Sequence, residues 1–217
     1  MNNKSICYIF GAGEYYLPPE NPNSEDLVIA ADGGYAYLKS IDITPDIVIG
    51  DFDSLGYVPC EVKTIALPAE KDVTDTAAAI ETGWSKGYRV FCIYGGTGGR
   101  IDHTLANIQC VADIAIKGGR AYLIDKDCII TAGHNGEINF KAMSNGYISV
   151  FSHSSVSVGV NEKGLKYALS DARLSNSYPL GVSNEFTGER SLISVKDGTL
   201  IIIYSKKAKL DSKGDKL

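Results

Sequence analysis

Short apolar runs, each closed by a glycine or an acidic residue, punctuate the first part of the chain: Ile6 to Phe10, Leu27 to Ala30, Ile47 to Ile49 and Val90 to Tyr94. Longer segments with helical spacing alternate with them, Thr74 to Lys86 and His103 to Lys117. Apolar strands alternating with helices read as βα units around a mostly parallel sheet. Beyond about Gly133 the texture changes to short alternating runs, Ile148 to Phe151, Val156 to Val160, Ser191 to Val195 and Thr199 to Tyr204, separated by Gly, Ser and Asn. These predict an antiparallel β domain, with Asp197-Gly198 as a hairpin turn between the last two runs. The expected architecture is an α/β N-terminal domain with a mostly parallel sheet over residues 1–133, then an all-β, antiparallel, sandwich-like domain over 134–206. A charged tail, 207–217, reads as solvated and frayed.

Composition narrows the classes. A chain of 217 residues, 44% hydrophobic, can bury one sizeable core or two modest ones. A formal net charge of -5 argues against a general nucleic-acid surface, which needs clustered Lys and Arg. No apolar stretch reaches membrane-spanning length, and the run before Gly11 is too short for a secretory signal. Five cysteines, Cys7, Cys60, Cys92, Cys110 and Cys128, are odd in number and lack a C-x-x-C pair. Three lie in or beside apolar runs, so they read as reduced core thiols in a cytoplasmic protein.

Carboxylates at strand exits supply the candidate chemistry. Asp51 and Asp53 follow the run Ile47 to Ile49, and the two-residue period turns them to one side at the strand's carboxyl end. That edge of an open α/β sheet is where ligands collect. Two carboxylates held about 5 Å apart repel by roughly 3 kcal/mol at an effective dielectric near 20, so a converging set calls for a cation or a retained proton. Oxygen donors without Cys or His partners suit magnesium. The simpler alternative is an Asx-type turn. Asp75 follows Thr74, which can cap a helix and place that carboxylate in its first turn. Asp102 follows the glycine-rich stretch Gly95, Gly96, Gly98, Gly99 and Arg100, and could itself cap the next helix. Capping does not account for Arg100, whose guanidinium, with the free N–H groups of the glycines, would cradle phosphate.

Other motifs say less. The glycine stretch is not a Walker A loop, because no Gly-Lys-Ser/Thr follows. Gly11-Ala12-Gly13 lacks the third glycine of a dinucleotide fingerprint and reads as a strand-to-loop turn. Asp32, in Ala31-Asp32-Gly33-Gly34, is a further acid at a strand exit. His103, His134 and His153 are too scattered to form a zinc site, and Trp84 falls on a helix face that reads as core.

The order of the motifs is more specific than any one of them. ADGG at Ala31 to Gly34, PDIVIGDFDSL at Pro45 to Leu55, EKDVTDTAAAI at Glu70 to Ile80 and YGGTGGRIDHTLANI at Tyr94 to Ile108 together resemble the thiamine pyrophosphokinase family. Lys163 to Leu169 and Leu180 to Thr187 extend the resemblance across both halves. Ile101 stands where an aromatic is common in the family, and Ala168 where proline is common; neither removes a charged or polar group.

The resemblance implies transfer of the terminal diphosphate of ATP, the co-substrate, to the hydroxyl of thiamine, giving thiamine diphosphate and AMP. It implies Mg2+ held by Asp51, Asp53 and Asp75, with Asp75 shared with the catalytic set. Asp102 would orient or deprotonate the hydroxyl, Arg100 would stabilise the transferring diphosphate, and Asp32, Gly96, Gly98 and Gly99 would contact the substrate. Ser183 and Asn184 would contact thiamine, in a homodimer whose sites join the α/β domain of one subunit to the β domain of the other. The alternatives are another Mg-dependent nucleotide phosphotransferase or hydrolase, or a non-catalytic sensor of thiamine diphosphate.

Overall fold

The apolar runs become strands that meet side by side in parallel. A computed structural model describes residues 5–16, 18–52, 55–68, 70 and 72–211. In it β1 (Ile6–Phe10) lies between β2 (Leu27–Ala31) and β5 (Val90–Tyr94), paired in parallel with both, and every residue of β1 and β2 is buried. β3 (Ile47–Gly50) continues the parallel array beyond β2, and the exposed β4 (Lys63–Ala66) closes that edge. With β6 (Arg120–Ile124), the order in this unit is β6-β5-β1-β2-β3-β4. Successive strands therefore step outward from β1 in one direction, then the chain returns to place β5 on the opposite side of β1. Such a reversal opens a crevice at the carboxyl ends of the two strands that flank it.

Among the described residues three helices connect the strands, and each ends in the same way. α1 (Gly34–Ser40), α2 (Asp75–Ser85) and α3 (Ile101–Ile116) are followed by a residue in the left-handed conformation: Asp42, Gly87 and Gly118. After α2, for example, the Gly87 N–H donates to the Trp84 carbonyl and the Tyr88 N–H to that of Gly83, the paired bonds of a Schellman stop. Thr74 caps α2, its hydroxyl accepting from the Ala77 N–H at 3.2 Å, with Asp75 in the first turn as the spacing predicts. α3 starts at Ile101, two residues before the predicted boundary, so Asp102 sits inside its first turn. α1 was not expected, since Ala31 to Gly34 reads as a turn. Trp84 is only half-buried: it stacks on Phe91, and Arg89 lies over its ring, 4.2 Å from the centre.

The chain divides into two compact units, Met1–Cys110 with Ala121–Lys126, and Val111–Arg120 with Asp127–Leu217. β7 (Cys128–His134) lies wholly in the second unit, where it pairs along its whole length, antiparallel, with β14 (Thr199–Ser205). β14 also pairs with β9 (Tyr147–Ser152), and β9 with β12 (Gly181–Glu185), giving the order β12-β9-β14-β7. A second antiparallel sheet runs β11-β10-β13-β8, from β8 (Glu137–Phe140), β10 (Val156–Lys163), β11 (Leu169–Ser175) and β13 (Ser191–Ser194). Phe140 of β8 meets Tyr204 of β14 edge-on at 5.0 Å and Phe186 at 5.6 Å, which fastens the two sheets together through aromatic packing.

Two expectations for this unit fail. Asp197-Gly198 does not close a hairpin, because β13 and β14 belong to different sheets. The turn is instead a corner, with Asp197 bridged to Val158 and the Gly198 N–H donating to the Asn135 side chain at 2.8 Å. The expected frayed tail does not begin at residue 207 either. Ala208 and Leu210 are buried, the Lys141 N–H donates to the Lys209 carbonyl, and Asp211 pairs with Arg190 at 2.8 Å. Cys7, Cys92 and Cys128 are buried thiols, while Cys60 is exposed. Among the described residues no helix is long and apolar enough to cross a membrane.

Candidate functional site

The parallel pairing of β1 with β5 does not stop where the strands do. The Gly11 N–H donates to the Tyr94 carbonyl at 2.8 Å, the Gly13 N–H to that of Gly95 at 2.7 Å, and the Glu14 N–H to that of Thr97 at 2.9 Å. The two glycine-bearing loops are thereby zipped together at the strand-order reversal. Gly13 is required there: a Cβ at that position would lie 2.4 Å from the Thr97 carbonyl oxygen and 2.6 Å from that of Gly95. Tyr15 folds back so that its hydroxyl donates to the Gly11 carbonyl, and its ring stacks on Tyr37 with centres 3.5 Å apart. Burial pushes the Tyr15 phenol up, which keeps it a donor.

Beside this zipper lies a crevice of about 300 Å³, the lower bound for a small-molecule site. Its walls include Ala12 and Gly13 from the β1 loop, Gly95 to Thr97 from the β5 loop, and Arg100, His103 and Thr104 from the start of α3. Two buried side chains fix the β5 loop from behind. Asn107 donates to the Gly96 carbonyl at 2.8 Å, and the Thr97 hydroxyl donates to Asp125 at 2.6 Å. Because the Gly13 and Glu14 amides are engaged, the groups at hand for an anion are the β5-loop amides, the N-terminus of α3 and Arg100. Gly96 and Gly99 line the crevice, and Gly98 lies between them in the same loop, against Tyr16 and Glu14.

The acids collect along the same carboxyl edge. Asp32 follows β2 with a positive φ of 48°, and its N–H donates to the Ile49 carbonyl of β3 at 2.8 Å. Asp51 follows β3 one residue beyond Gly50 and is half-buried. Asp75 opens α2, and its neighbour Thr76 lines the crevice. Asp53 lies outside the described residues. Among those described, no three His, Cys, Asp or Glu side chains converge closely enough to hold a metal ion.

Arg100 and Asp102 meet each other rather than the crevice floor. The guanidinium makes two bonds to the carboxylate, at 2.6 and 3.2 Å, with side chains 73% and 59% exposed. The Arg100 hydrogen bond, then the His103 backbone N–H, hold the Asp102 carboxyl below the usual carboxylate range, and the pairing raises Arg100 in turn. An exposed pair of this kind adds little to stability.

In the other unit, Ser183 is exposed with a φ of 59°, its N–H donating to the Ser149 hydroxyl at 3.0 Å. Asn184 is 4% exposed and its amide is fully engaged. Its Nδ2 donates to Glu162 at 2.8 Å and to the Tyr167 carbonyl at 2.6 Å, while its Oδ1 accepts from the N–H groups of Tyr167 and Glu185, each at 2.9 Å. A direct ligand contact would have to displace one of these bonds.

Residues that line the crevice but were not singled out from the sequence are Ala12, Gly13, Thr76, Thr97, Thr104 and Asn107. A Gly-x-Gly after a strand was visible, but its importance depends on strand order, which no local pattern carries.

The sheet order, the crevice at its reversal and the antiparallel unit define an open α/β protein with a crevice at the carboxyl edge of its parallel strands. Residues 20–123 match the thiamin pyrophosphokinase catalytic domain, and residues 136–200 match the thiamin pyrophosphokinase vitamin B1 binding domain. The chain belongs to the thiamin pyrophosphokinase family. The thiamine pyrophosphokinase of Bacillus subtilis (strain 168) is 31% identical over 211 residues, 93% of this chain and 99% of that protein. The crystal structure of thiamine pyrophosphokinase from Bacillus subtilis superimposes with a TM-score of 0.80 at 29% identity, covering 94% of this chain and 99% of the other. That of the thiamin pyrophosphokinase from Geobacillus thermodenitrificans gives 0.79 at 25% identity, covering 93% and 98%.

Gly13 and Gly99 provide a matched test of the zipper. Gly13→Ala should cost roughly 1–3 kcal/mol in denaturant unfolding, the range for overpacking against fixed atoms. Gly99→Ala, whose Cβ would meet nothing within 4 Å, should stay within about 0.5 kcal/mol of the parent.

Proposed function

We propose that the chain transfers the terminal diphosphate of ATP to the hydroxyl of thiamine at the crevice between β1 and β5, giving thiamine diphosphate and AMP. The observation that carries this reading is the pair of family domains matched in order along the chain, with the glycine loop, Arg100 and the α3 N-terminus gathered at the sheet reversal. The hydroxyl oxygen forms a bond to the β-phosphorus as the bond from that phosphorus to the oxygen retained by AMP breaks. AMP leaves without a separate acid, because its second phosphate pKa is about 6.

The chemistry of the residues suits magnesium: Asp51 and Asp75 carry hard carboxylate oxygens at a strand exit and a helix start, Asp53 follows Asp51 in sequence, and Asp32 lies at the neighbouring strand exit. Bound there with the nucleotide, the ion would neutralise phosphate charge. Asp51, Asp53 and Asp75 are assigned to hold it, and Asp32 to contact substrate or a metal-bound water. Gly96, Gly98 and Gly99 let the loop backbone approach the phosphates, and Arg100 clamps the diphosphate in transfer. Asp102 orients the hydroxyl and accepts its proton. When Arg100 turns onto phosphate it releases Asp102, whose basicity then rises, so substrate binding readies the base. Ser183 faces the vitamin, and Asn184 shapes that face.

A homodimer completes the reading. β12 ends its sheet, and exposed Tyr178, Leu180 and Val182 lie on or beside it, an apolar edge that a second copy would cover. Each site would then join the acids of one subunit to Ser183 and its surroundings on the other. Reduced thiols and the family's small polar substrates fit a cytoplasmic setting.

Incubation with ATP, magnesium and thiamine should yield AMP and thiamine diphosphate in equal amounts, whereas ADP or free phosphate would favour the other phosphotransferase or hydrolase. Asp51→Asn should abolish that turnover while leaving the circular-dichroism spectrum intact. Near-parental turnover would remove Asp51 from the metal site.

The Arg100–Asp102 pair sets a pH expectation. Arg100 lowers the Asp102 pKa, so in Arg100→Gln the carboxylate protonates at higher pH. The acid limb of kcat/KM should therefore move upward in pH, alongside a loss in kcat larger than the loss in ATP affinity. An unmoved limb would mean that Asp102 is not the base.

Mixing Asp51→Asn with Asn184→Ala subunits should restore part of the activity, because exchange creates one intact and one doubly damaged site. No recovery, once native mass measurement shows mixed dimers of two individually impaired variants, would place both clusters' work within one chain.

A further inference from the structure

Glu162 lies on β10, 1% exposed, flanked in register by Leu169 of β11 and Ile193 of β13. One carboxyl oxygen accepts from the Asn184 amide at 2.8 Å; the other is buried with no hydrogen-bond partner, the single such side-chain atom among the described residues. Burial pushes this carboxyl above the ordinary range, opposed only by the Asn184 bond. In the adjoining segment Lys166 and Glu185 pair with each other at 2.7 Å. A buried polar atom left unsatisfied weakens a fold, so its presence asks for another explanation.

The Asn184 bond supplies one. It crosses from β10 in one sheet to β12 in the other. Asn184 in turn grips both backbone groups of Tyr167, accepting from its N–H and donating to its carbonyl, as a strand partner would. Beside it the Lys166 N–H donates to the Glu185 carbonyl, and Leu165 is bridged to Phe186. The segment so held carries the exposed Tyr167 ring, and Val182 and Ser183 of β12, the strand that bears Asn184, are exposed as well, all within the part of the chain that matches the vitamin B1 binding domain. An amide whose two ends must both be oriented has two possible flips. The Glu162 carboxyl, by accepting from Nδ2, selects the one in which Oδ1 faces the Tyr167 and Glu185 N–H groups.

We propose that Glu162 is a positioning residue for the vitamin half of the site: acting through Asn184, it fixes the backbone of Tyr167 in the conformation that receives thiamine. The inference rests on the diphosphotransfer reading above, and goes beyond it by naming a residue that touches neither substrate. Glu162 adds nothing to the phosphate crevice, so its effect falls on one substrate only.

Two substitutions separate positioning from simple stability. Glu162→Leu keeps an apolar side chain of similar volume in the gap but lacks an acceptor, and Glu162→Gln keeps an acceptor. Glu162→Leu should raise the KM for thiamine about tenfold, as expected for loss of one orienting hydrogen bond, with kcat and the KM for ATP changed by less than about twofold. Glu162→Gln should restore the thiamine KM to within about threefold of the parent, on the same reasoning. Hydrogen exchange read at the Tyr167 amide, with no substrate present, should quicken by about tenfold in Glu162→Leu and not in Glu162→Gln. An unchanged thiamine KM with unchanged Tyr167 exchange in Glu162→Leu overturns the proposal, as does a rise in both KM values together with a lowered melting temperature. If the parent chain makes no thiamine diphosphate, the diphosphotransfer reading falls, and the exchange at Tyr167 still decides whether Glu162 positions that segment.

Discussion

The pairing of β1 with β5 is the constraint on which the site depends. β1 has neighbours on both sides, is wholly buried, and is the point about which the strand order reverses. Extending that pairing by three backbone bonds past the strand ends holds two glycine loops together and leaves a crevice beside them. The start of α3 is brought to that edge by the connection that leaves β5, and the start of α2 by the connection that leaves β4. Arg100 and Thr76 line the crevice, and Asp75 opens α2 next to Thr76, because of where the strand order puts the helix starts.

Electrostatics then divide the molecule's work. In the α/β unit the charged groups sit at an open edge and are provisionally neutralised by one another, Arg100 by Asp102. In the β unit the ill-satisfied Glu162 carboxyl is enclosed between sheets and linked to a segment near the surface. Exposed charge can be exchanged for a ligand's charge at small cost, whereas an enclosed group changes partner only if the packing around it moves. The first suits a reacting centre, and the second suits a mould.

Much of this was legible in the chain. Ile6 to Phe10 and Val90 to Tyr94 are strands with the limits that their apolar runs suggest, and Thr74 caps α2 as its spacing predicts. Motifs shared with a known family pointed to the family itself, which the two matched domains show. Long-range order was not legible. Gly11-Ala12-Gly13 looks like an ordinary turn until β5 is placed beside β1. Asp197-Gly198 carries a hairpin's local chemistry, yet the strands it joins part to different sheets. Short polar strands such as β12, with the sequence Gly-Val-Ser-Asn-Glu, have no apolar run to announce them. Glu162 occupies an inward position where alternation calls for an apolar residue, so the predicted strand ends at Val160 although β10 continues to Lys163.

The zipped loops also set a rule for how this chain can change over time. Because Gly11 to Glu14 and Tyr94 to Thr97 are bonded rung by rung, neither loop can gain or lose a residue alone without sliding out of step with the other. Insertions and deletions there must arrive in matched pairs, which makes single length changes at the crevice nearly forbidden. Diversification of the crevice must then proceed by exchanging side chains on a backbone of constant length, and new loop length has to be added elsewhere, at turns that no second segment reads.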